Sequence, residues 1–535
     1  MIQSPRPIPV KNMPTVKVGL HSVLKFAYTH HGLQGREFSV LLNRRNEPVT
    51  LRGVGLSLAL AGALAFSATA RARGLKAGAS KAVITPDVHR AKVYMAGFGH
   101  NRVATGVHDD LTVRCLALEA QPTTLVLCEA DLIGLFYDDV LKVRKQVQAA
   151  APQVTQVIVG STHDHEGPDT LGLWGPSALQ SGMDGKYLDE VDHKIAGAAL
   201  AAVGSMQDAR LTLGEDDNPL LALLQNDSRP PYVKDPHLLV MRLVAEGSGV
   251  PIATLINWSD HPETLGGKNT LITADFPHWL CSYVESHLGG TAIYFNGSIG
   301  GLLSTLGDEV AIQDPGNGEI AKDGTWDKAQ LVGNMLGLLA ERAVNLGKTA
   351  PVDSIVIRKA AIFAPVDNDN FRIAGAMGVF KGRKSLYTDG ELDPSFVVKN
   401  VPGMGKLRES TGKDFRSEVD YIQLLKRGEP VAEIATVPGE IYPELVNGGI
   451  ARYAGADFPN APFEPVIRTS MRSSYKFVFG LADDELGYII PKAEWDKQPP
   501  WLRGSKTRWY GEINSAGPDV SGVVTRALVD LMNRK

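Results

Sequence analysis

Two short apolar runs constrain the fold of this chain most, because each delivers a histidine. Val154–Gly160 reads as a strand that opens into Ser161-Thr162-His163-Asp164-His165-Glu166-Gly167-Pro168. Ile252–Asn257 reads as a second strand, opening into Trp258-Ser259-Asp260-His261-Pro262, where Pro262 stops it from simply continuing as a central one. Residues i and i+2 of an extended segment share a face, so His163 and His165 can point into one cavity. Imidazole is a favoured zinc ligand, and His-x-His at a strand end is a recurrent way to present it. Two surface histidines in a loop are the plain alternative. Two further polar clusters sit in turns after apolar runs: Val437-Pro438-Gly439-Glu440, and Gly480-Leu481-Ala482-Asp483-Asp484-Glu485-Leu486-Gly487-Tyr488.

Other segments fill in the architecture. Leu111–Leu118 and Thr124–Cys128 predict a strand pair, and His237–Val244 another strand. Asp138–Ala150, with Val140, Val143 and Val147 on one face, predicts an amphipathic helix; Phe276–His287 and Asp327–Leu346 predict two more. The fold class expected is mixed α/β: one large domain over 73–535 with mixed β-sheets flanked by helices. Asp275 is placed to cap the helix that follows it. Asp164 is either a partner that orients a histidine or a solvated carboxylate. Asp483, Asp484 and Glu485 read as a solvated loop.

The formal net charge of −4 and the 44% apolar content suit a globular core and give no basic stripe for nucleic acid. A basic stretch (Arg44, Arg45, Arg52), the apolar run Gly53–Phe66 and small residues at Ala68-Thr69-Ala70-Arg71-Ala72 form a secretory signal pattern near 44–72. The run is shorter than the about 20 apolar residues of a membrane span. Residues 1–72 are therefore expected to be a leader and signal peptide, cleaved after Ala70 or Ala72, with no stable transmembrane anchor. The expected location is periplasmic or extracellular. Of the three cysteines, Cys115 and Cys128 flank the Gln121-Pro122 turn almost symmetrically; they could face each other on a hairpin, and two buried free thiols are the expected state.

Together the clusters resemble the neutral/alkaline non-lysosomal ceramidase family. The resemblance runs from Ala79-Ser80-Lys81-Ala82-Val83-Ile84-Thr85-Pro86 and Met95-Ala96-Gly97-Phe98 through Gly106-Val107-His108-Asp109-Asp110-Leu111 to the His163 cluster. It continues through Asn257 to Pro262, Thr273-Ala274-Asp275-Phe276, Pro438-Gly439-Glu440 and Gly487-Tyr488. It implies a mononuclear zinc site (Zn2+) with His163, His261, Glu440 and Tyr488 as ligands. His165 would be a catalytic neighbour, and Arg229 an arginine near the scissile group. Zinc held by such ligands activates water and polarises a carbonyl. Tyr488 could bind the metal or donate a hydrogen bond to the oxyanion, a catalytic role.

The chain departs from the family at its Gly-Asp-x-Ser-Pro segment. Gly301 stands at the aspartate position and Leu303 at the serine position; Ser304 is one place off and Ser298 earlier in the loop. No counterpart of the family's C-terminal immunoglobulin-like domain is expected before Lys535. The departure bears on ceramide as substrate, not on the zinc ligands. What the resemblance implies is thus a zinc-dependent hydrolase of ceramide or another N-acyl amide. The alternatives are a metal-dependent hydrolase of another ester and a catalytically silent exported binding protein.

Overall fold

The computed structural model describes residues 74–534, apart from 305–320, 382, 384, 385 and 402–404. The expected leader and signal over 1–72 lie outside the described residues. The larger of two main sheets is built from β1 (Lys76–Val83), β2 (Thr112–Ala120), β3 (Thr123–Ala130), β4 (Gln156–Ser161), β5 (Gln207–Asp216), β6 (Leu238–Ala245), β7 (Pro251–Trp258) and β8 (Thr291–Asn296). Their spatial order is β8-β7-β6-β5-β1-β2-β3-β4, with Lys348–Thr349 adding to β5. The pairs at the two ends, β7 with β8 and β3 with β4, are parallel, whereas β1 pairs with β2 antiparallel. The sheet is therefore mixed, as predicted.

The second sheet centres on β9 (Ser354–Pro365), β10 (Asp414–Lys426), β11 (Glu429–Thr436) and β12 (Lys476–Phe479). Here β9, β10 and β11 are antiparallel neighbours and β12 runs parallel to β11.

Period-2 alternation decides how these sheets stack. Leu116 and Leu118 of β2 face a core shared with Ile422 and Leu424 of β10 and Phe477 of β12. Val113, Cys115 and Ala117, on the other face of β2, pack with Val140 and Val143 of α1 (Tyr137–Ala150) and Val191 and Ile195 of α2 (Gly185–Gly204). Next to them, Val240 and Ile256 bury Leu280 of α3 (Phe276–Leu288) and Leu336 of α4 (Trp326–Leu346). Beyond the second sheet, Val419 and Val478 meet Val524 and Leu528 of α5 (Val520–Asn533). The result is four layers, helix on sheet on sheet on helix. Two sheets meeting face to face leave one apolar interior, and each outer face needs its own helical cover.

Asn257 locks the two sheets together where β7 ends. Its Nδ2 donates to the carbonyls of Phe295 (3.0 Å), Asn296 (3.2 Å) and Val478 (2.9 Å), and its Oδ1 accepts from Val478 N–H (3.2 Å). One buried amide thus satisfies strand-end groups of both sheets.

The hairpin of β2 and β3 corrects the expectation of two free thiols. Its register pairs Ala120 with Thr123, so five residues back and five forward set Cys115 opposite Cys128. Their Cα atoms are 4.1 Å apart and the pair is disulfide-bonded. Cys281 is free and buried. Among the described residues no helix is long and apolar enough to cross a membrane.

Replacing Asn257 with Ala should lower unfolding free energy by roughly 2–4 kcal/mol, because several buried polar groups lose their partner at once. Urea denaturation measures this, and a loss below about 0.5 kcal/mol would contradict the sheet-locking role.

Candidate metal centre

The polar clusters predicted from the sequence all follow strand ends. β4 runs into Thr162 and His163, β7 into His261, β11 into Glu440, and β12 into the loop that ends at Tyr488. Because β7 is parallel to β8 and β11 to β12, the carboxyl ends of strands from both sheets open on the same side, where α/β folds place their sites. The loops are then stitched edge to edge. Gly297 N–H donates to Trp258 (3.0 Å), Gly480 N–H to Asn296 (3.0 Å), Asp483 N–H to Val159 (2.7 Å), and His165 N–H to Pro262 (3.1 Å). Glu440 and Tyr488 are register partners in a short parallel pair. Glycine is required at Gly480, since a Cβ there would lie 2.2 Å from the carbonyl oxygen of Gly297.

The side chains converge. Ring centroids of His163 and His261 are 4.8 Å apart, those of His163 and His165 4.9 Å, and those of His165 and His261 5.4 Å. One Glu440 oxygen lies 3.0 Å from His261 Nε2 and 3.6 Å from His163 Nε2. The Tyr488 hydroxyl is 3.5 Å from His261 Nε2 and hydrogen-bonds the Glu440 carboxylate.

Backbone carbonyls orient the two rings. His163 Nδ1–H donates to Ile133 (2.7 Å) and His261 Nδ1–H to Leu302 (2.6 Å). A carbonyl can only accept, so each ring carries a proton on Nδ1 and turns Nε2 inward. His163 adopts φ 65°, a left-handed conformation that non-glycine residues hold only when their surroundings impose it.

The electrostatics follow from burial. Desolvation pushes His163 down to about 3, against the pull of the Glu440 charge, and takes His165 well below the usual histidine value. Burial would lower His261 too, but its hydrogen bond and charge pairing with Glu440 outweigh it and raise the group. Burial would raise Glu440; His163 and His261 overcome it and hold the carboxylate down. Burial, reinforced by the Glu440 charge, pushes Tyr488 well up.

These donors fit a divalent cation. Two imidazole Nε2 atoms, a carboxylate and a phenol face one point, and His163, His165 and His261 each offer a nitrogen within 4.8 Å of the others. A nitrogen and oxygen set of this kind suits borderline metals rather than calcium or magnesium.

Arg229 is not among the residues lining the cavity in front of these groups. Its guanidinium donates to Glu512 (2.7 Å) and Glu494 (3.2 Å) and stacks 5.5 Å from the Tyr442 ring centre. The departed segment acts through its backbone: Leu302 supplies the carbonyl that orients His261, and Gly300 N–H donates to Ile441 (2.8 Å). Ser298 donates to Asp235 (2.7 Å), and Ser304 is buried.

Two expectations are corrected. Asp164 is neither solvated nor a histidine partner; it is buried and accepts from Glu166 N–H (2.9 Å), shaping the turn between His163 and Glu166. Asp483, Asp484 and Glu485 are buried as well, because their loop is pressed between the ends of β4 and β8. Sequence reasoning also missed Glu263, whose carboxylate lies 3.2 Å from His165 Nδ1. Its position two residues after His261 was the available signal. Likewise, Gly97 (φ 90°) lies against the His165 ring, where a Cβ would be 2.3 Å from Cγ.

The fold these elements form is neutral ceramidase-like. The structure resembles a crystal structure of neutral ceramidase from Pseudomonas aeruginosa with a TM-score of 0.60 at 17% identity, over 86% of this chain and 74% of that chain. A ceramidase complexed with C2 matches at a TM-score of 0.60 and 16% identity, over 86% of this chain and 75% of the other. No family model matches the sequence, and no curated protein matches it significantly.

Purified protein is expected to hold about one divalent ion per chain, and Glu440→Ala to weaken its retention at least about tenfold. Elemental analysis after dialysis against a chelator series measures both. Unchanged retention in the variant would remove Glu440 from the donor set.

Proposed function

We propose that the chain is an exported zinc-dependent hydrolase that cleaves a carboxamide, ceramide or another N-acyl amide. The observation that carries this reading is the convergence of His163, His261 and Glu440, with Tyr488 beside them, on a ceramidase-like fold. His163, His261, Glu440 and Tyr488 would hold the zinc. When bound, that ion supplies Lewis acidity toward the carbonyl and makes a water more acidic.

The remaining roles belong to side chains of the protein. His165 is buried and kept neutral, so its free nitrogen can accept the proton of the attacking water and return it to the leaving nitrogen. Glu263, at its other nitrogen, favours the imidazolium that forms between those two transfers. Where the Tyr488 hydroxyl leaves the metal and Glu440, it is instead a donor for oxyanion charge, its proton kept by burial. The apolar wall of the cavity, with Phe136, Leu171, Trp174 and Phe371 among its residues, suits an acyl group and excludes water. Arg229 would act indirectly, by holding Tyr442 behind Tyr488, whose ring centres are 6.0 Å apart. Export is supported by the signal pattern near 44–72 and by the Cys115–Cys128 disulfide.

Zinc-loaded protein should hydrolyse a fluorogenic N-acyl amide, with turnover abolished in Glu440→Ala. His165→Ala should lower kcat about 10²–10⁴-fold while leaving metal content unchanged. Full activity in either variant would defeat the assignment, as would turnover confined to phosphate or carboxylic esters across a substrate panel.

A further inference from the structure

A histidine that hands a proton from water to a leaving nitrogen must be held in one orientation. Glu263 stands at one nitrogen of His165. The rest of the grip on this ring runs through a single side chain, Arg102, which is buried. Its Nη2 donates to two backbone carbonyls, that of His165 itself and that of Ala96. Its Nη1 pairs with the Glu166 carboxylate (3.1 Å). One planar group thus ties the turn that carries His165 to the loop over 95–102. The two residues after Ala96 are the ones that touch the imidazole. Gly97 lies against it with no room for a Cβ, and the Phe98 ring meets it edge to face, with centres 5.2 Å apart. The guanidinium in turn lies over Phe98, 4.9 Å from its ring centre. Arg102 therefore holds both the backbone from which the His165 ring springs and the surface on which it rests.

Two carbonyls and a carboxylate around one point need donors spread in a plane, which a guanidinium offers in a fixed fork and an ammonium on a flexible stem does not. The loop's backbone has its own support: Met95 N–H donates to the Arg102 carbonyl (2.8 Å) and Ala96 N–H to Gly167 (3.0 Å). Glu166 likewise keeps a second partner, Asn269 Nδ2 (2.8 Å). The guanidinium is thus not the only tie that closes the loop.

We propose that Arg102 is the positioning residue for His165, aiming the imidazole through its own carbonyl and through the Gly97-Phe98 segment beneath it. The kinetic consequence rests on the amide-hydrolase reading; the grip on the ring does not.

Steady-state kinetics of zinc-loaded wild type, Arg102→Lys, His165→Ala and the double variant on the fluorogenic N-acyl amide test the kinetic part. Arg102→Lys should lower kcat at least about tenfold, with KM and zinc content held within about twofold. In the His165→Ala background the same substitution should cost almost nothing further, because the two residues act as a unit. An unchanged kcat, a loss that falls on KM or zinc content instead, or a full further loss in the His165→Ala background would overturn the proposal. If the melting temperature shows that Arg102→Lys does not fold, Phe98→Ala, which removes only the edge contact, takes its place with the same pattern expected. Carbethoxylation of His165, followed by mass spectrometry of its peptide, reads the grip without turnover. It should be slow in wild type and at least about tenfold faster in the variant, whose ring is released. Faster modification in the variant, with no N-acyl amide turned over by wild type, sinks the hydrolase reading and leaves the grip standing. Wild-type turnover with modification unchanged in the variant does the reverse.

Discussion

Two imidazole rings turned inward by backbone carbonyls are the constraint on which the rest of this structure depends. Ile133 and Leu302 each accept the Nδ1 proton of a histidine, so that both Nε2 atoms face the Glu440 carboxylate at the buried end of the cavity. Gathering such groups away from water is costly, and the scaffold must offset it. It does so with rigid strand ends: both sheets contribute, and Asn257 ties the ends of β7, β8 and β12 into one platform. The left-handed backbone at His163 is tolerated for the same reason, since its neighbours leave it no alternative.

Seen this way, the layered architecture and the site are one problem. A parallel pair of strands puts two carboxyl ends side by side, and the fold places such pairs in each of its stacked sheets. Four loops then reach a common point without any of them being long. The wall beyond the histidines, with Phe136, Leu171, Trp174 and Phe371, gives this point a largely apolar antechamber.

The legible part of the sequence was local. Apolar runs gave β4, β6 and β7, helical spacing gave α1, α3 and α4, and Asp275 caps its helix by accepting from Phe276 N–H (2.6 Å) as the pattern indicated. Motif wording singled out His163, His261, Glu440 and Tyr488, which the fold brings together. What stayed hidden depends on distant packing. Three consecutive acids at Asp483, Asp484 and Glu485 look solvated until the ends of β4 and β8 are seen to enclose them. Glu263 gains meaning only through a histidine that arrives from another strand. The expectation for Arg229 rested on resemblance alone, and the guanidinium is held by Glu494 and Glu512 instead of lining the cavity.

X-ray absorption fine structure of the zinc-loaded protein probes that convergence directly. Two imidazole nitrogens and oxygen donors, all at about 2.0–2.2 Å, are what the account predicts. A first shell containing sulfur at about 2.3 Å, or one without any imidazole signature, would contradict it.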